Sequence, residues 1–177
     1  MTIEMRPDPG VSHEELNRIL KERAEALAKV PAETPENLLH VLRVEIAGET
    51  YAVDVALVRE VRQVDRITPV PGVPPHVAGV INLRGEILAV LDIRPIFELE
   101  ARGRQGAVIV LNVAGRSVGL LADSAVRVLR LPADTIGPPL STFTGARAEY
   151  VKGVASDGTV MLDAERLAQD PRLAVEH

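Results

Sequence analysis

Residues able to support catalysis or metal binding are few in this 177-residue chain. Its four histidines are far apart and form no pair with metal-ligand spacing: His13, His40, His76 and His177. The chain has no cysteine, no glycine-rich phosphate loop and no Gly-x-Ser-x-Gly nucleophile motif. Asp92 and Asp163 are the best candidates for a catalytic carboxylate pair. Each ends an apolar run, however, so we interpret both as caps of the helical turn that follows.

An arginine in the stretch GVINLRGEILAVLD, from Gly79 to Asp92, points to a different kind of chemistry. Two apolar runs flank a polar break, which predicts a β-hairpin with a tight turn. Asn82 and Gly85 satisfy the turn, so Arg84 is not needed for it. A surface arginine usually serves solubility, but a planar side chain with five donors on a rigid turn also suits a partner's carboxylate. Composition alone favours neither interpretation.

The composition predicts a soluble globular protein with an aliphatic core. Hydrophobic residues make up 46% of the chain, and there are only two Tyr, two Phe and no Trp. The formal net charge of −5 and the scarcity of aromatic residues argue against nucleic-acid binding. No segment has the unbroken apolar length of a signal peptide or a membrane span, so we expect a cytoplasmic protein without direct membrane insertion.

The hydrophobic pattern changes from helical to alternating near residue 38. Ser12 and Glu15 form a capping box that predicts an amphipathic helix ending near Ala28. From Leu38 many short strands follow at even spacing, interrupted by the proline-rich loop ITPVPGVPPH. The sequence ALVREVRQV predicts a helical turn leading into a strand, and LDAERLAQD predicts a short C-terminal helix.

Two pairs of segments indicate an internal duplication. The strands around Gly48 align with those around Gly115, and the Val-x-Gly-Val segment at Gly79 aligns with the one at Gly153. This predicts two small β-subdomains packed across an apolar seam. We expect a disordered start, helix and linker over 1–37, the β-domain over 38–168 with its division near 99–106, and a tail over 169–177.

Several motifs together resemble the CheW family of chemotaxis coupling proteins. They are VREV, ITPVPGVPPHVAGV, GVINLRGEILAVLDIR, VGLLADSAVRVLRL and YVKGVASDGTVMLD, which span about Leu38 to Leu167 in the family's order. The resemblance implies a mainly β fold of two SH3-like five-stranded β-barrels in a CheW-like arrangement, with an N-terminal helix and a short C-terminal helix. It also implies an adaptor with no catalytic activity and no cofactor.

The resemblance implies two protein partners, the regulatory domain of a chemotaxis histidine kinase and the cytoplasmic tip of methyl-accepting chemoreceptors. In this family, apolar barrel ends bind the kinase and a groove between the subdomains takes the receptor tip. The protein is then expected in receptor arrays at the inner face of the membrane. The matching positions are the predicted partner-binding residues: Val58, Glu60, Gly79, Asn82, Leu83, Arg84 and Gly85.

Alternatives within and outside the family stay open. Within the family, the alternatives are a paralogous coupling protein for another motility or developmental pathway and a piece of a larger coupling protein, although the start methionine and short tail favour a complete chain. A regulatory module that binds a small ligand in the seam is the alternative from another class. Ala89 stands where the family usually has proline, and the predicted helix from Ser12 to Ala28 is an addition to the minimal family domain.

Overall fold

A computed structural model describes residues 17–18, 21–22, 37–100 and 102–174. The chain divides into two compact units, Met1–Glu36 and Asn37–His177. In the first unit the four described residues are helical, as predicted, and Arg18 and Glu22 form an exposed ion pair at 3.8 Å. The predicted capping box of Ser12 and Glu15 lies outside the described residues.

In its described part, the second unit contains eleven strands and two short α-helices. The strands are β1 (Leu38–Ile46), β2 (Glu49–Asp54), β3 (Val58–Val64), β4 (Val77–Leu83), β5 (Glu86–Leu91), β6 (Gly106–Val113), β7 (Arg116–Ala122), β8 (Ser124–Pro132), β9 (Ile136–Gly137), β10 (Val151–Ala155) and β11 (Val160–Leu162). The helices are α1 (Gly145–Glu149) and α2 (Ala164–Gln169).

These strands form two sheets, and each sheet takes strands from both halves of the chain. The larger sheet has the order β8-β1-β2-β11-β10-β9, and the smaller sheet has the order β3-β6-β7-β5-β4. Two parallel contacts join the halves: Val90 of β5 lies opposite Gly119 of β7, and Val160 of β11 lies opposite Tyr51 of β2. The predicted division near 99–106 falls between β5 and β6, and strands on either side of it contribute to both sheets.

The main hydrophobic core lies in the seam between the two sheets. Ile109 and Leu111 of β6 pack there with Val44 and Ile46 of β1. Intervening residues of β6, such as Val108, belong to a second cluster inside the smaller sheet. Because β6 is buried on both faces, it is an almost continuous apolar run rather than an alternating one. The predicted apolar seam is therefore the largest core of the protein.

In each sheet, one glycine allows two backbone segments to lie unusually close together. Gly79 of β4 has a φ of 142°, and a Cβ there would lie 2.1 Å from the carbonyl oxygen of Thr68. Gly153 of β10 has the same role, because a Cβ there would lie 2.3 Å from the carbonyl oxygen of Gly137. The two glycines are the pair that the duplication aligns, so the repeated Val-x-Gly-Val segment marks a repeated close approach of two strands.

A fully buried arginine ties the loop after β5 to the seam. Arg94 donates from Nη2 to Asp123 at 2.6 Å, and from Nη1 to Asp92 and to the carbonyl oxygens of Arg102 and Gly103. Asp123 in turn accepts from the backbone N–H of Ala47 at 2.7 Å. Because each charge in this network has a partner of opposite sign or a backbone dipole, burial of the guanidinium is compensated.

The structure confirms the predicted fold class, which is mainly β with two sheets and short helices. The larger sheet has six strands rather than five because the two-residue β9 is added at its edge. A 3-10 turn at Val55–Leu57 leads into β3, as ALVREVRQV predicts. The proline-rich segment is a loop with a single bridge between Thr68 and Val80, and the predicted C-terminal helix is α2.

We predict that Gly79→Ala lowers the free energy of unfolding by about 2–4 kcal/mol, because the new methyl group would overlap the Thr68 carbonyl and the φ of Gly79 is strained for alanine. Urea denaturation measures the change. Gly103→Ala is the matched control, since a Cβ at Gly103 meets nothing within 4 Å and its φ is ordinary. Equal stability of the two variants would contradict the proposed close approach.

Candidate protein-interaction site

The turn between β4 and β5 is a two-residue hairpin turn formed by Arg84 and Gly85. Their φ angles are 52° and 89°, so both residues are left-handed. The side-chain oxygen of Asn82 accepts a hydrogen bond from the N–H of Gly85 at 2.8 Å and fixes the turn. Asn82 thus supports the turn from the strand end, while the left-handed positions are those of Arg84 and Gly85.

Two other hairpin turns show that this geometry does not require arginine. The β1–β2 turn, Ala47–Gly48, has φ angles of 53° and 81°, and the β6–β7 turn, Ala114–Gly115, has 51° and 78°. All three turns place an L-residue in a left-handed conformation, which costs roughly 1 kcal/mol. Alanine meets the backbone requirement at the other two turns, so the side chain of Arg84 needs an explanation other than turn formation.

One carboxylate orients the side chain of Arg84. Its Nη2 lies 3.2 Å from Oε2 of Glu60, and the two side chains are 69% and 18% exposed. Glu60 lies on β3, and Arg84 directly follows β4. These are the first and last strands in the order of the smaller sheet, so the ion pair links the two ends of that sheet. In the described part of the chain, the remaining N–H groups of Arg84 have no acceptor, and Oε1 of Glu60 has no donor.

The predicted partner-binding residues have different surroundings in the structure. Asn82, Arg84 and Gly85 are exposed at the tip of the hairpin. Val58 and Glu60 on β3 are half-buried, and of these Glu60 contacts Arg84 whereas Val58 packs against the main core. Gly79 and Leu83 are buried. These two shape the hairpin from inside, Leu83 by packing in the core of the smaller sheet.

A groove begins beside the hairpin and runs between the smaller sheet and the C-terminal segment. Its volume is about 750 Å³. Ile87 of β5 is 55% exposed on one wall, and Leu167 of α2 and Pro171 belong to the opposite wall. Ala89 also lines the groove, so the residue that replaces the family's usual proline lies on this surface. Neither Ile87 nor the groove was predicted from the sequence.

Asp170 fixes the C-terminal wall of the groove. It accepts hydrogen bonds from the side chain of Arg172 and from the hydroxyl of Tyr150. The hydrogen bond from Arg172 is the larger of the two causes, and that from Tyr150 the smaller, that hold the pKa of Asp170 well below its usual range. Burial raises the pKa of Tyr150 to about 12. Leu173, in the segment predicted as a tail, is buried in the main core. The wall is therefore anchored both by charge and by apolar packing.

The two aspartates considered for catalysis are caps, as predicted. Oδ1 of Asp163 accepts from the N–H of Arg166 in the first turn of α2, and Oδ1 of Asp92 accepts from the N–H of Arg94. In the described part of the chain, no three His, Asp or Glu side chains form a cluster able to hold a metal ion. No helix among the described residues is both long and apolar enough to span a bilayer.

Comparison with known proteins identifies the family of the fold. The profile of the CheW-like domain family matches residues 40–172. The chain belongs to the CheW-like domain family.

Two relatives of this CheW-like chain are chemotaxis proteins by name. It is 27% identical to the chemotaxis protein CheW of Treponema pallidum over 154 residues, which cover 82% of this chain and 91% of the relative. It is 33% identical to the chemotaxis protein CheW of Klebsiella aerogenes over 135 residues, which cover 73% and 81%. The family supports a role in chemotaxis signalling as a scaffold or adaptor.

A solved structure of the family has the same fold. The crystal structure of the scaffolding protein TtCheW from Thermoanaerobacter tengcongensis superposes with a TM-score of 0.66 and 27% identity. The alignment covers 76% of this chain and 94% of that one. The CheW-like arrangement of two sheets predicted from the motifs is thus confirmed.

We predict that Asp170→Asn removes an acid-sensitive part of the protein's stability. Because the folded-state pKa of Asp170 lies below its unfolded value of about 4, its contribution is complete above that pH and is lost as the pH falls further. The wild type should therefore be more stable than Asp170→Asn near neutrality, and the difference should shrink below about pH 4. Urea titrations at several pH values measure this.

The exposed residue Asp65 provides a control. Asp65→Asn should leave the pH dependence of stability close to that of the wild type. A constant difference between wild type and Asp170→Asn down to about pH 2 would mean that the carboxylate does not anchor the wall through its charge.

Proposed function

We propose that this protein is a non-enzymatic adaptor that couples chemoreceptors to a chemotaxis-type histidine kinase. The observation that carries the proposal is an arginine at a turn position where alanine suffices elsewhere in the same fold. Arg84 is exposed, is held by Glu60 and stands beside a groove with an exposed isoleucine. A fixed guanidinium next to apolar surface is a combination typical of protein-binding hot spots.

Arg84 and the groove have separable roles in this proposal. The free N–H donors of Arg84 contact a carboxylate or a backbone carbonyl of the kinase regulatory domain or of the receptor tip. The groove receives the apolar side of the receptor tip, with Ile87 supplying area that becomes buried. The predicted residues Val58, Asn82 and Gly85 border the same contact, whereas Gly79 and Leu83 act by holding the hairpin in shape.

The energetics favour a contact that forms and breaks readily. Arg84 is 69% exposed but Glu60 only 18%, so a partner's carboxylate joins Glu60 on the guanidinium instead of replacing it, and the exposed side of Arg84 adds only about 1 kcal/mol. Transient signalling contacts bury less than about 1,200 Å² in total. In an array of many receptors and kinases at the inner face of the membrane, linked copies raise the effective concentration and maintain occupancy.

An adaptor of this kind needs no reaction chemistry. The two aspartates first considered for acid–base work act as caps. Both terminal nitrogens of the buried Arg94 are engaged, with Asp92, Asp123 and two backbone carbonyls. These contacts support the view that the charged groups of the fold hold loops in place and that the protein works by contacting other proteins.

We predict that Arg84→Glu weakens binding to the receptor tip or to the kinase regulatory domain by about tenfold or more, because it places a negative charge beside Glu60 and the partner's carboxylate. Thermal unfolding should change little, since Arg84 is mostly exposed. Calorimetric titration of the full chain with each purified partner measures the effect.

Arg104→Glu is a charge-matched control, because it makes the same change in net charge in the exposed loop before β6. This loop lies at the end of the smaller sheet opposite the hairpin turn. Undiminished binding of Arg84→Glu to both partners would refute the assigned site. Co-purification of the wild-type chain with its native kinase would identify the pathway, whether chemotaxis or another behaviour.

A further inference from the structure

The groove beside the hairpin continues the apolar surface of the main core outward. Leu91 of β5 and Leu120 of β7 belong to that core. Two residues earlier on the same faces of these strands, Ala89 and Val118 line the groove and are half-buried. Two residues before Ala89, Ile87 is 55% exposed. The groove is therefore an apolar surface that the fold leaves partly uncovered.

A positive charge lies beside the exposed isoleucine. Val90 of β5 pairs with Gly119 of β7, and Ile87 and Arg116 each precede one member of that pair by three residues. The parallel register therefore places Ile87 and Arg116 side by side, and both line the groove. Arg116 is exposed, and within the described part of the chain it takes part in no ion pair.

The one carboxylate among the described residues that line the groove is already paired. Oε2 of Glu86 lies 3.3 Å from Nη1 of Arg59, a residue of β3. The same nitrogen lies 3.3 Å from the hydroxyl of Ser117. The lining residues of the C-terminal wall are all uncharged. Because Arg59 compensates Glu86, the groove keeps one excess positive charge, that of Arg116, in a chain whose formal net charge is −5.

We infer that the groove selects an acidic segment of its protein partner, in which an aliphatic side chain covers Ile87 and a carboxylate pairs with Arg116. The inference rests on the proposed function, in which this groove receives the receptor tip. A helical segment fits the spacing, because side chains three or four residues apart on a helix lie about 5–6 Å apart and neighbouring strands lie about 5 Å apart. Arg116 is then a specificity-determining residue, since it repels a basic segment.

The test uses a helical probe and the full chain. Acetyl-(Glu-Ala-Ala-Ala-Leu)3-amide is titrated into the ¹⁵N-labelled protein, with acetyl-(Lys-Ala-Ala-Ala-Leu)3-amide as the charge-reversed peptide. The acidic peptide should shift the amide signals of Ile87, Arg116 and Ala168 in a saturable manner, and the basic peptide should not. Equal effects of both peptides, or saturable shifts that leave out this groove, would overturn the inference.

Three variants isolate the charge of Arg116. Arg116→Gln should weaken the acidic peptide about twofold to fivefold, which is the range of an exposed ion pair. Arg116→Lys keeps the charge and should retain most of the affinity. Arg104→Gln removes the same charge from the exposed loop before β6 and should bind like the wild type. An equal loss in Arg116→Gln and Arg104→Gln would mean that only net charge matters and would refute the assignment.

Arg59 has a positioning role that can be tested separately. It does not contact the partner in this inference, but its pair with Glu86 leaves Arg116 as the excess charge. Arg59→Gln should therefore weaken the acidic peptide about twofold, because Glu86 then repels it. The double variant Arg59→Gln, Glu86→Gln removes both charges and should recover the wild-type affinity. A double variant as weak as Arg59→Gln would contradict this role.

The results also separate the inference from the proposed function. Receptor-tip binding that is lost in Arg84→Glu but unchanged in Arg116→Gln would leave the proposed function standing and refute the inference. Acidic-peptide binding that requires Arg116, in a chain that binds neither receptor nor kinase, would support the inference and refute the proposed function.

Two other occupants of the groove would each refute an external partner. A several-fold gain of acidic-peptide affinity in Glu176→Gln would show that the chain's own end competes for Arg116. Self-association of the free chain in sedimentation experiments, lost in Arg116→Gln, would show that a second copy occupies the groove.

Discussion

In the described part of the chain, four strand contacts join the two halves: the antiparallel pairs β1–β8 and β3–β6, and two short parallel pairs. β5 lies beside β7 in the smaller sheet, and β11 lies beside β2 in the larger one. The first half of the chain contributes the β1–β2 hairpin to the larger sheet, and the second half contributes the β6–β7 hairpin to the smaller sheet. Because β1 and β6 both face the seam with one side, the exchange also creates the main core. The hairpin at Arg84 and the groove beside it are positioned by this arrangement.

The rigidity of the candidate site follows from backbone packing more than from ion pairs. The Thr68 carbonyl approaches β4 so closely that only glycine fits at position 79, and this closes the smaller sheet behind the hairpin. The Asn82 side chain then fixes the turn itself. In the proposed contact, this support fixes the backbone of Arg84 before a partner binds, which is the advantage of a preorganised site. The pair with Glu60 adds orientation at low energetic cost.

Local signals in the sequence predicted the features that depend on nearby residues. The 3-10 turn before β3, the hairpins with glycine as second turn residue and the aspartate caps were all recognisable because turn and cap chemistry act over a few positions. The duplication also predicted the seam and aligned Gly79 with Gly153. The structure shows that both glycines lie at a close approach of two backbone segments. Of the predicted site residues, those at the hairpin tip are exposed and Glu60 contacts Arg84, whereas Gly79 and Leu83 are buried and Val58 packs against the main core.

What the sequence did not reveal depends on contacts between distant segments. The hydrophobic pattern of a strand does not specify which strand lies beside it, because β5 would bury the same residues next to a different neighbour. The pairing of strands from the two halves could therefore not be predicted. The groove needs a wall from the C-terminal segment, where Leu173 enters the core although its surroundings looked like a tail. The buried Arg94 had no local mark either, because its four acceptors come from Asp92, Asp123 and the loop at 102–103.

The reciprocal exchange of hairpins has a consequence for how this chain can be divided. A cut in the loop between β5 and β6 would leave each fragment with strands of both sheets and a complete sheet in neither. Separate fragments should then be poorly ordered, yet they carry complementary edges and should reassemble when mixed.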